Sequence, residues 1–135
     1  MDLPILVDSS VYIRLMRQRL DPAAALFEHY DTVNLVTCGM VQLEVLRGVR
    51  ELKARERLRD FMAVMQFVPT DERLWREATD LAWRVDRLGA TIQATDALIA
   101  ASALRKGASV LTLDSDFKRV PGLHVLSLPP HLDRP

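Results

Sequence analysis

The chain has 135 residues, of which 49% are hydrophobic and 27% are charged, which is the size and balance of one soluble globular domain. Its 18 basic and 18 acidic residues cancel, which excludes a globally basic nucleic-acid-binding protein but still allows a local basic patch. The single cysteine excludes an internal disulfide. The sequence shows neither a signal-peptide pattern nor an apolar run of roughly 20 residues, so we expect a cytoplasmic protein without membrane contact.

Short apolar runs alternate with helical patterns along the first half of the chain. Ser9 and Ser10 offer N-caps after the first run, Pro22 suits a first helical turn, and Thr37 offers another cap. The predicted elements are, in order, a strand over 5–7, helices over 11–19 and 22–30, a strand over 33–36, helices over 40–46 and 50–65, and a strand over 66–68.

The second half of the chain continues this alternation. Asp71 and Glu72 follow Thr70 in the pattern of a helix start, and Gly89 and Gly107 suit helix ends. The predicted elements are helices over 72–88 and 95–106, strands over 110–113 and 125–128, and a proline-rich extended tail over 129–135.

The predicted strands are continuous apolar runs, which is typical of parallel strands covered on both faces. Their alternation with helices predicts a single domain over residues 1–135 with a three-layer α/β/α architecture and a central, mainly parallel five-stranded sheet. Sheets of this kind bind ligands at the carboxyl ends of their strands. The functional residues are therefore expected at that edge.

Acidic residues in apolar surroundings mark this edge. Asp8 and Asp114 follow predicted strands, Asp96 opens an apolar helix, and Glu44 lies in an apolar helix. Strand ends and helix starts share one edge of a parallel sheet, so these carboxylates are expected to converge and to repel one another without a cation. Mg²⁺ prefers oxygen ligands and can activate water at a phosphodiester. The pattern therefore predicts metal-dependent phosphodiester hydrolysis.

Each acid also has a purely structural explanation. The alternatives are a helix cap for Asp8, a partner of the helix dipole for Asp96, a surface ion pair with Arg47 or Arg50 for Glu44, and turn roles for Asp114 and Asp116. These explanations account for each residue singly, but they do not explain why all of them are expected at the same edge.

A basic stretch follows the helix that carries Glu44. Residues 47–59 contain more basic than acidic side chains, and Arg47, Arg50, Lys53 and Arg57 are candidates for contacts with RNA phosphates. A solvated helix face with internal Glu–Arg pairs is the alternative.

Other conspicuous side chains receive structural interpretations. Trp75 falls on the apolar stripe of the helix over 72–88 and is expected in the core. Trp83 lies off that stripe beside Arg84 and Arg87, which indicates either a contact surface or a partly covered surface residue. Cys38 is expected to be a buried structural thiol, and the three scattered histidines are expected at the surface.

Four sequence blocks, ILVDSS, QLEVLRG, ATDALIAASA and VLTLDSDF, resemble the PIN-domain family, in particular the VapC-type toxins of bacterial toxin–antitoxin modules. The resemblance runs from Leu6 to Val125. It implies a Mg²⁺- or Mn²⁺-dependent endoribonuclease that cleaves RNA, is held by a cognate antitoxin protein and forms a homodimer.

The resemblance also assigns roles within the site. It matches the family's catalytic acidic quartet to Asp8, Glu44, Asp96 and Asp114. It implies direct metal binding by Asp8 and Asp96, with Glu44 and Asp114 holding metal-bound waters or a second metal. Asp116 is a further acid, and with Asp114 it is counted among the metal-site residues. It matches small hydroxyl residues that orient the site to Ser9 and Thr112.

Two other functions are compatible with the same fold. One is a phosphatase or phosphotransfer domain with Asp8 as the nucleophile. Haloacid-dehalogenase-like phosphatases usually carry a second Asp two residues later, and here that position is Ser10. The other is a PIN-fold interaction module that has lost activity, which the presence of all four acids argues against.

Overall fold

The computed structural model describes residues 3–133, and a five-stranded sheet lies at their centre. The strands are β1 (Ile5–Val7), β2 (Leu35–Cys38), β3 (Gln66–Val68), β4 (Ser109–Leu111) and β5 (Val125–Leu126). Their spatial order is β3-β2-β1-β4-β5, and every neighbouring pair is parallel. The prediction of a central parallel sheet is confirmed, with β1 in the middle.

Helices flank this sheet and give the predicted three-layer α/β/α arrangement. Within residues 3–133 they are α1 (Ser9–Arg17), α2 (Pro22–His29), α3 (Gly39–Leu46), α4 (Leu52–Ala63), α5 (Glu72–Arg87) and α6 (Ala94–Lys106), with 3-10 helices at Thr32–Asn34 and Ser115–Arg119. One apolar core joins these helices to the sheet. None of the described helices has the length and apolar character that a membrane span requires.

Strand β2 begins two residues later than predicted. Val33 is 72% exposed and lies in a 3-10 helix, where its N–H donates to the Asp31 side chain at 3.1 Å. Thr37, which was predicted to cap a helix, is a fully buried strand residue opposite Phe67 of β3. Cys38 takes the cap position before α3 and is 1% exposed, which confirms the buried thiol. The 3-10 helix capped by Asp31 therefore takes up the residues at which the strand was predicted to begin.

Strand β4 ends two residues earlier than predicted, at Leu111. The Leu113 N–H donates to Ser10 Oγ at 3.1 Å, and the Asp114 N–H donates to Thr112 Oγ1 at 3.0 Å. Side-chain hydroxyls thus satisfy backbone groups that a longer strand would have paired with a neighbour. The chain leaves the sheet here and places Thr112 and Asp114 at its carboxyl edge.

Helix α5 presents two tryptophans to the surface. Its buried residues are Leu74, Ala78, Leu81 and Val85. Trp75 is 54% exposed, so the prediction that it lies in the core is wrong. It follows Leu74 by one residue, which rotates it by about 100° from the buried row. Trp83 is 58% exposed and lies off the buried stripe, as predicted.

Helices α5 and α6 run antiparallel, and an ionic cluster joins the start of α5 to the end of α6. The helix start predicted over residues 70–72 is confirmed, and the Asp71 side chain caps α5 by accepting from the Leu74 N–H at 2.8 Å. Arg105, near the end of α6, donates to Asp71 and to Glu77 at 3.1 Å, and its hydrogen bonds lower the pKa of Asp71. Helix α6 stops at Gly107, whose φ of 65° is left-handed.

The end of the chain returns to α1. Strand β5 stops at Leu126, two residues before the predicted end. Residues 129–133, predicted as part of an extended tail, form a turn in which the Leu132 N–H donates to the Pro129 carbonyl at 2.9 Å. Gln18 donates to the Leu132 carbonyl at 2.7 Å, and Arg14 pairs with Asp133. The buried Leu132 side chain stabilises this folded-back segment. Residues 134–135 of the predicted tail lie outside the described residues.

Candidate active site

The Asp8 carboxylate is buried at the carboxyl edge of β1. Its exposed fraction is 3%, and its Oδ2 accepts hydrogen bonds from Ser10 Oγ at 2.7 Å and from Thr112 Oγ1 at 2.9 Å. Asp8 occupies the N-cap position of α1, but its side chain makes no capping hydrogen bond. Both hydroxyl donors use Oδ2, so within the described residues Oδ1 remains available for a ligand. The structure therefore does not support the cap explanation for this carboxylate.

Ser10, which was predicted only as a helix cap, contacts the buried acid Asp8. Its hydroxyl donates to Asp8, lies 3.3 Å from Thr112 Oγ1, and accepts from the Leu113 N–H. The first turn of α1 places Ser10 over the end of β4. The available signal was the second serine of the VDSS block, two residues after the buried acid.

Two predicted orienting residues contact the acids directly. Thr112 is 5% exposed; it donates to Asp8 and accepts from the Asp114 N–H, so it links two of the carboxylate residues. Ser9 is buried and donates to Glu44 Oε1 at 3.1 Å. The partner observed for Glu44 is therefore Ser9 rather than the arginines considered as its ion-pair partners.

Three carboxylates form the closest set. Asp96 lies in the first turn of α6, Asp114 follows β4, and Asp116 lies in the second 3-10 helix. One carboxylate oxygen from each lies within 4.8 Å of the others. Carboxylate oxygens at this separation are the donor set that a hard divalent cation takes.

The pKa of Asp96 is raised by its burial and by the negative charge of the neighbouring acids. Burial, followed by the negative charges of Asp8, Asp114, Glu44 and Asp116, raises the pKa of Asp96 from 3.8 to about 7. Four acidic residues from distant parts of the sequence thus act on Asp96 at one edge of the sheet. The individual structural explanations do not account for this convergence.

Asp114 and Asp116 belong to the acid cluster and also have the turn roles considered for them. Asp114 Oδ1 accepts from the Asp116 N–H at 2.9 Å, so Asp114 also caps the 3-10 helix. Asp116 pairs with Arg119 at 3.2 Å, and Arg119 also donates to the Thr91 carbonyl at 2.8 Å. Arg119 thereby connects the cluster to the loop that precedes α6.

The predicted basic stretch lies on the end of α3, the loop after it and the start of α4. Arg47, Arg50, Lys53 and Arg57 are all exposed. Arg57 forms an ion pair with Asp21 at the start of α2. Arg57 and Lys53 line a groove between α4 and the connection from α1 to α2. The cation of Arg57 is therefore already paired.

The hydroxyl of Ser10 offers a test of this arrangement. Ser10→Ala is expected to lower the free energy of unfolding by about 1–2 kcal/mol, because the buried Asp8 carboxylate and the Leu113 N–H both lose a partner. Ser10→Thr retains the hydroxyl and should lose less. Urea denaturation of both variants, with the exposed Ser127→Ala as a control, measures the difference; equal stability of Ser10→Ala and wild type would contradict a structural role for this hydroxyl.

Comparisons with known proteins agree with this fold. Residues 5–123 match the family model described as PIN domain. The chain is 32% identical over 129 residues to Ribonuclease VapC4 of Mycobacterium tuberculosis, a match that covers 91% of this chain and 95% of that protein. It is 31% identical over 133 residues to Ribonuclease VapC of Rickettsia bellii, with 93% and 96% covered.

A solved structure shows the same fold. VapBC2 from Rickettsia felis, determined with a DNA fragment from its promoter, superposes with a TM-score of 0.72 at 17% identity, over 93% of this chain and 98% of that one. The family match covers most of the sequence, and its span includes all five acids of the cluster. The chain belongs to the PIN-domain family and groups with its VapC members.

Proposed function

We propose that this chain is a divalent-metal-dependent endoribonuclease that acts as the toxin of a cytoplasmic toxin–antitoxin pair. The observation that carries the proposal is the convergence of four further acids on Asp96, whose pKa is raised to about 7 by burial and by their negative charges. Such a cluster is best neutralised by a cation. The ribonuclease names of the relatives supply the reaction class.

The acids are assigned different roles in the proposed site according to their contacts. Asp96, Asp114 and Asp116 would hold Mg²⁺ or Mn²⁺ through their converging oxygens, and Asp8 would add the oxygen that its hydroxyl donors leave available. When bound, the ion stabilises negative charge on a phosphate and lowers the pKa of water.

The remaining residues position these groups. Ser10 and Thr112 hold Asp8 in one rotamer through hydrogen bonds to the same oxygen. Ser9 orients Glu44, which we propose as the acid that holds a water molecule. Because the pKa of Asp96 is raised to about 7, its carboxyl group would be largely protonated below that pH in the metal-free protein and would be ionised when it holds the ion.

Arg47, Arg50 and Lys53 are proposed to contact RNA phosphates outside the acidic site. Arg50→Gln and Lys53→Gln should each weaken RNA binding and reduce the slope of log affinity against log salt by about 0.7, the value for one phosphate contact with a single strand. Fluorescence anisotropy of labelled RNA at several salt concentrations measures the slope. Lys106→Gln, at the opposite end of α6 from Asp96, removes the same charge as a control; an unchanged slope in the first two variants would favour the solvated-face alternative.

The partner proposed for the chain is a cognate antitoxin protein, because the solved VapBC structure similar to it is a complex. We also propose that the chain forms a homodimer. Co-expression with the product of a neighbouring short reading frame, followed by purification through a tag on one protein, tests the pairing. Recovery of this chain alone, with every adjacent short frame tried, would contradict it.

Cleavage of RNA by the purified chain tests the proposed activity. Single-stranded RNA should be cut internally in Mg²⁺ or Mn²⁺ and remain intact in EDTA. A folded, antitoxin-free protein that leaves several RNAs intact with either metal would instead favour an inactive PIN-fold module. Trapping of a phosphate on Asp8 would favour the phosphatase alternative.

A further inference from the structure

The three histidines of the chain gather away from the acid cluster, towards the opposite edge of the sheet. His29 and His124 line a cleft of about 420 Å³ together with Ile5 and Ser109, the first residues of β1 and β4. The His131 ring, in the turn that ends the described chain, lies 5.0 Å from the His29 ring between centroids. All three side chains are exposed, as predicted, but they are not scattered in space.

The imidazoles of His29 and His131 are separated by a distance that suits a shared metal ion. Their centroids are 5.0 Å apart and their planes are inclined by 52°, so the rings do not form a parallel stack. With bonds of about 2.0–2.1 Å to one tetrahedral Zn²⁺, two imidazole centroids lie about 5 Å apart. Because both side chains are exposed, each ring can turn towards such an ion without movement of the backbone.

Other contacts hold the two histidines in place. His29 ends α2, and its ring meets the partly buried Tyr30 ring edge-on at 4.7 Å between centroids. His131 precedes the buried Leu132, whose carbonyl accepts a hydrogen bond from Gln18 of the segment after α1. The backbone on both sides of the pair is therefore fixed before any ion binds.

The surroundings of the pair favour an open cation site with water as the remaining ligands. Asp31 lines the same cleft as His29 and adds negative charge beside it. His124 belongs to a different contact, because its Nδ1 lies 2.9 Å from Ser109 Oγ. Within residues 3–133, the group of three or more converging ligand atoms is the one formed by the acids. An imidazole that ligates through one nitrogen keeps the other for a hydrogen bond.

We propose that His29 and His131 bind a divalent transition-metal ion of the Zn²⁺ class, which ties the C-terminal turn to the end of α2. Imidazole nitrogens suit Zn²⁺, Cu²⁺ and Ni²⁺, whereas carboxylate oxygens suit Mg²⁺ and Mn²⁺. The ion therefore differs from the one proposed for the acid cluster. A site with two protein ligands binds reversibly, unlike a closed structural site with four. The proposal does not depend on the proposed nuclease function.

The imidazole proton resonances report on this site directly, because the chain has three histidines. The untagged full chain is titrated with Zn²⁺ in excess Mg²⁺, which occupies the acid cluster, and nuclear magnetic resonance follows the three signals. The signals of His29 and His131 are expected to shift together and to reach their end point with one bound ion. The His124 signal should shift much less, and single His→Asn variants assign each resonance.

Zn²⁺ affinities of matched variants test which residues are ligands. Loss of an outer-shell partner alone costs about 10–100-fold in metal affinity, so His29→Asn and His131→Asn should each bind Zn²⁺ at least about tenfold more weakly. His124→Asn removes a neighbouring imidazole and should bind as wild type. Asp8→Asn, which alters the acid cluster, should also keep the wild-type Zn²⁺ affinity. Isothermal titration calorimetry in excess Mg²⁺ measures all five proteins.

Thermal melting shows whether the ion stabilises the fold. At a Zn²⁺ concentration of about ten times the dissociation constant, wild type should melt roughly 3–6 °C higher than in EDTA. His131→Asn should melt as wild type does in EDTA, because the side chain is exposed, and should gain little from Zn²⁺.

Three results would overturn the proposal. Unchanged His29 and His131 signals would show that the pair binds no ion, and equal shifts of all three histidines would show adventitious binding. Equal Zn²⁺ affinities of wild type and His131→Asn, with a loss in Asp8→Asn, would place the ion in the acid cluster instead. RNA cleavage enters none of these measurements, so failure of the nuclease proposal and failure of this one are distinguishable.

Discussion

Asp8→Asn is expected to lower kcat/KM for RNA cleavage by at least about 100-fold, or about 2.7 kcal/mol of transition-state stabilisation. The amide has the same size, and its oxygen can accept the hydrogen bonds from Ser10 and Thr112 that now reach Oδ2. The NH₂ group of the amide then takes the place of Oδ1, and this group cannot act as a ligand for a cation. The variant thus keeps the fold and loses the ligand.

Steady-state cleavage of one RNA by wild type, Asp8→Asn and Asp80→Asn measures this effect. Asp80 is exposed on α5, outside the cluster, so its variant should cleave at the wild-type rate. Asp96→Asn should lose activity to a similar degree as Asp8→Asn. Near wild-type cleavage by folded Asp8→Asn would remove this residue from the site.

Divalent metal is expected to stabilise the folded chain, and the effect should grow with pH. If the dissociation constant is about 1 mM, about 10 mM Mg²⁺ contributes RT ln 11, or about 1.4 kcal/mol, to the free energy of unfolding. For a domain of this size the melting temperature then rises by roughly 3–6 °C. Thermal melting across a Mg²⁺ titration at constant ionic strength measures it.

The pH dependence follows from the raised pKa of Asp96. The folded chain keeps the Asp96 proton up to about pH 7, whereas the unfolded chain loses it near the ordinary value of 3.8. The stability that protonation provides is therefore full at low pH and declines as the pH rises to about 7 in the metal-free protein. Mg²⁺ competes with this proton, so its stabilising effect should be small at about pH 5.5 and large at about pH 8.

Asp96→Asn separates this explanation from a general effect of salt. Without the titrating carboxyl group, the variant should be more stable than wild type in EDTA at about pH 8 and respond weakly to Mg²⁺. Asp80→Asn should keep the wild-type response. Equal Mg²⁺-induced shifts in wild type and Asp96→Asn would contradict metal binding by this residue.

Most of the fold could be predicted from the sequence because its elements depend on local patterns. The apolar run of β1, the Asp71 cap and the Gly107 stop are each encoded within a few residues, and the structure contains all three. The displacement of β2 was not predictable in this way. It depends on the Asp31 turn and on pairing with β3, a strand some 30 residues later.

The candidate site was predictable in composition but not in contacts. Because strand ends and helix starts share an edge, the sequence indicated that the acids would converge. The role of Ser10 depends on contacts with Thr112 and Leu113, about a hundred residues away, and no local pattern contains them. The exposure of Trp75 likewise depends on which side of α5 faces α6 and the core.

Direct binding of Mn²⁺ tests the central claim of a metal site at the acid cluster. The electron paramagnetic resonance signal of free Mn²⁺ is measured while the ion is titrated with purified protein at about pH 8, without RNA or antitoxin. Wild type and Asp80→Asn should remove the free signal in proportion to protein concentration, and Mg²⁺ should restore it by competition. Asp8→Asn and Asp96→Asn should leave most of the ion free; Mn²⁺ binding that is equal in all four proteins would contradict the account.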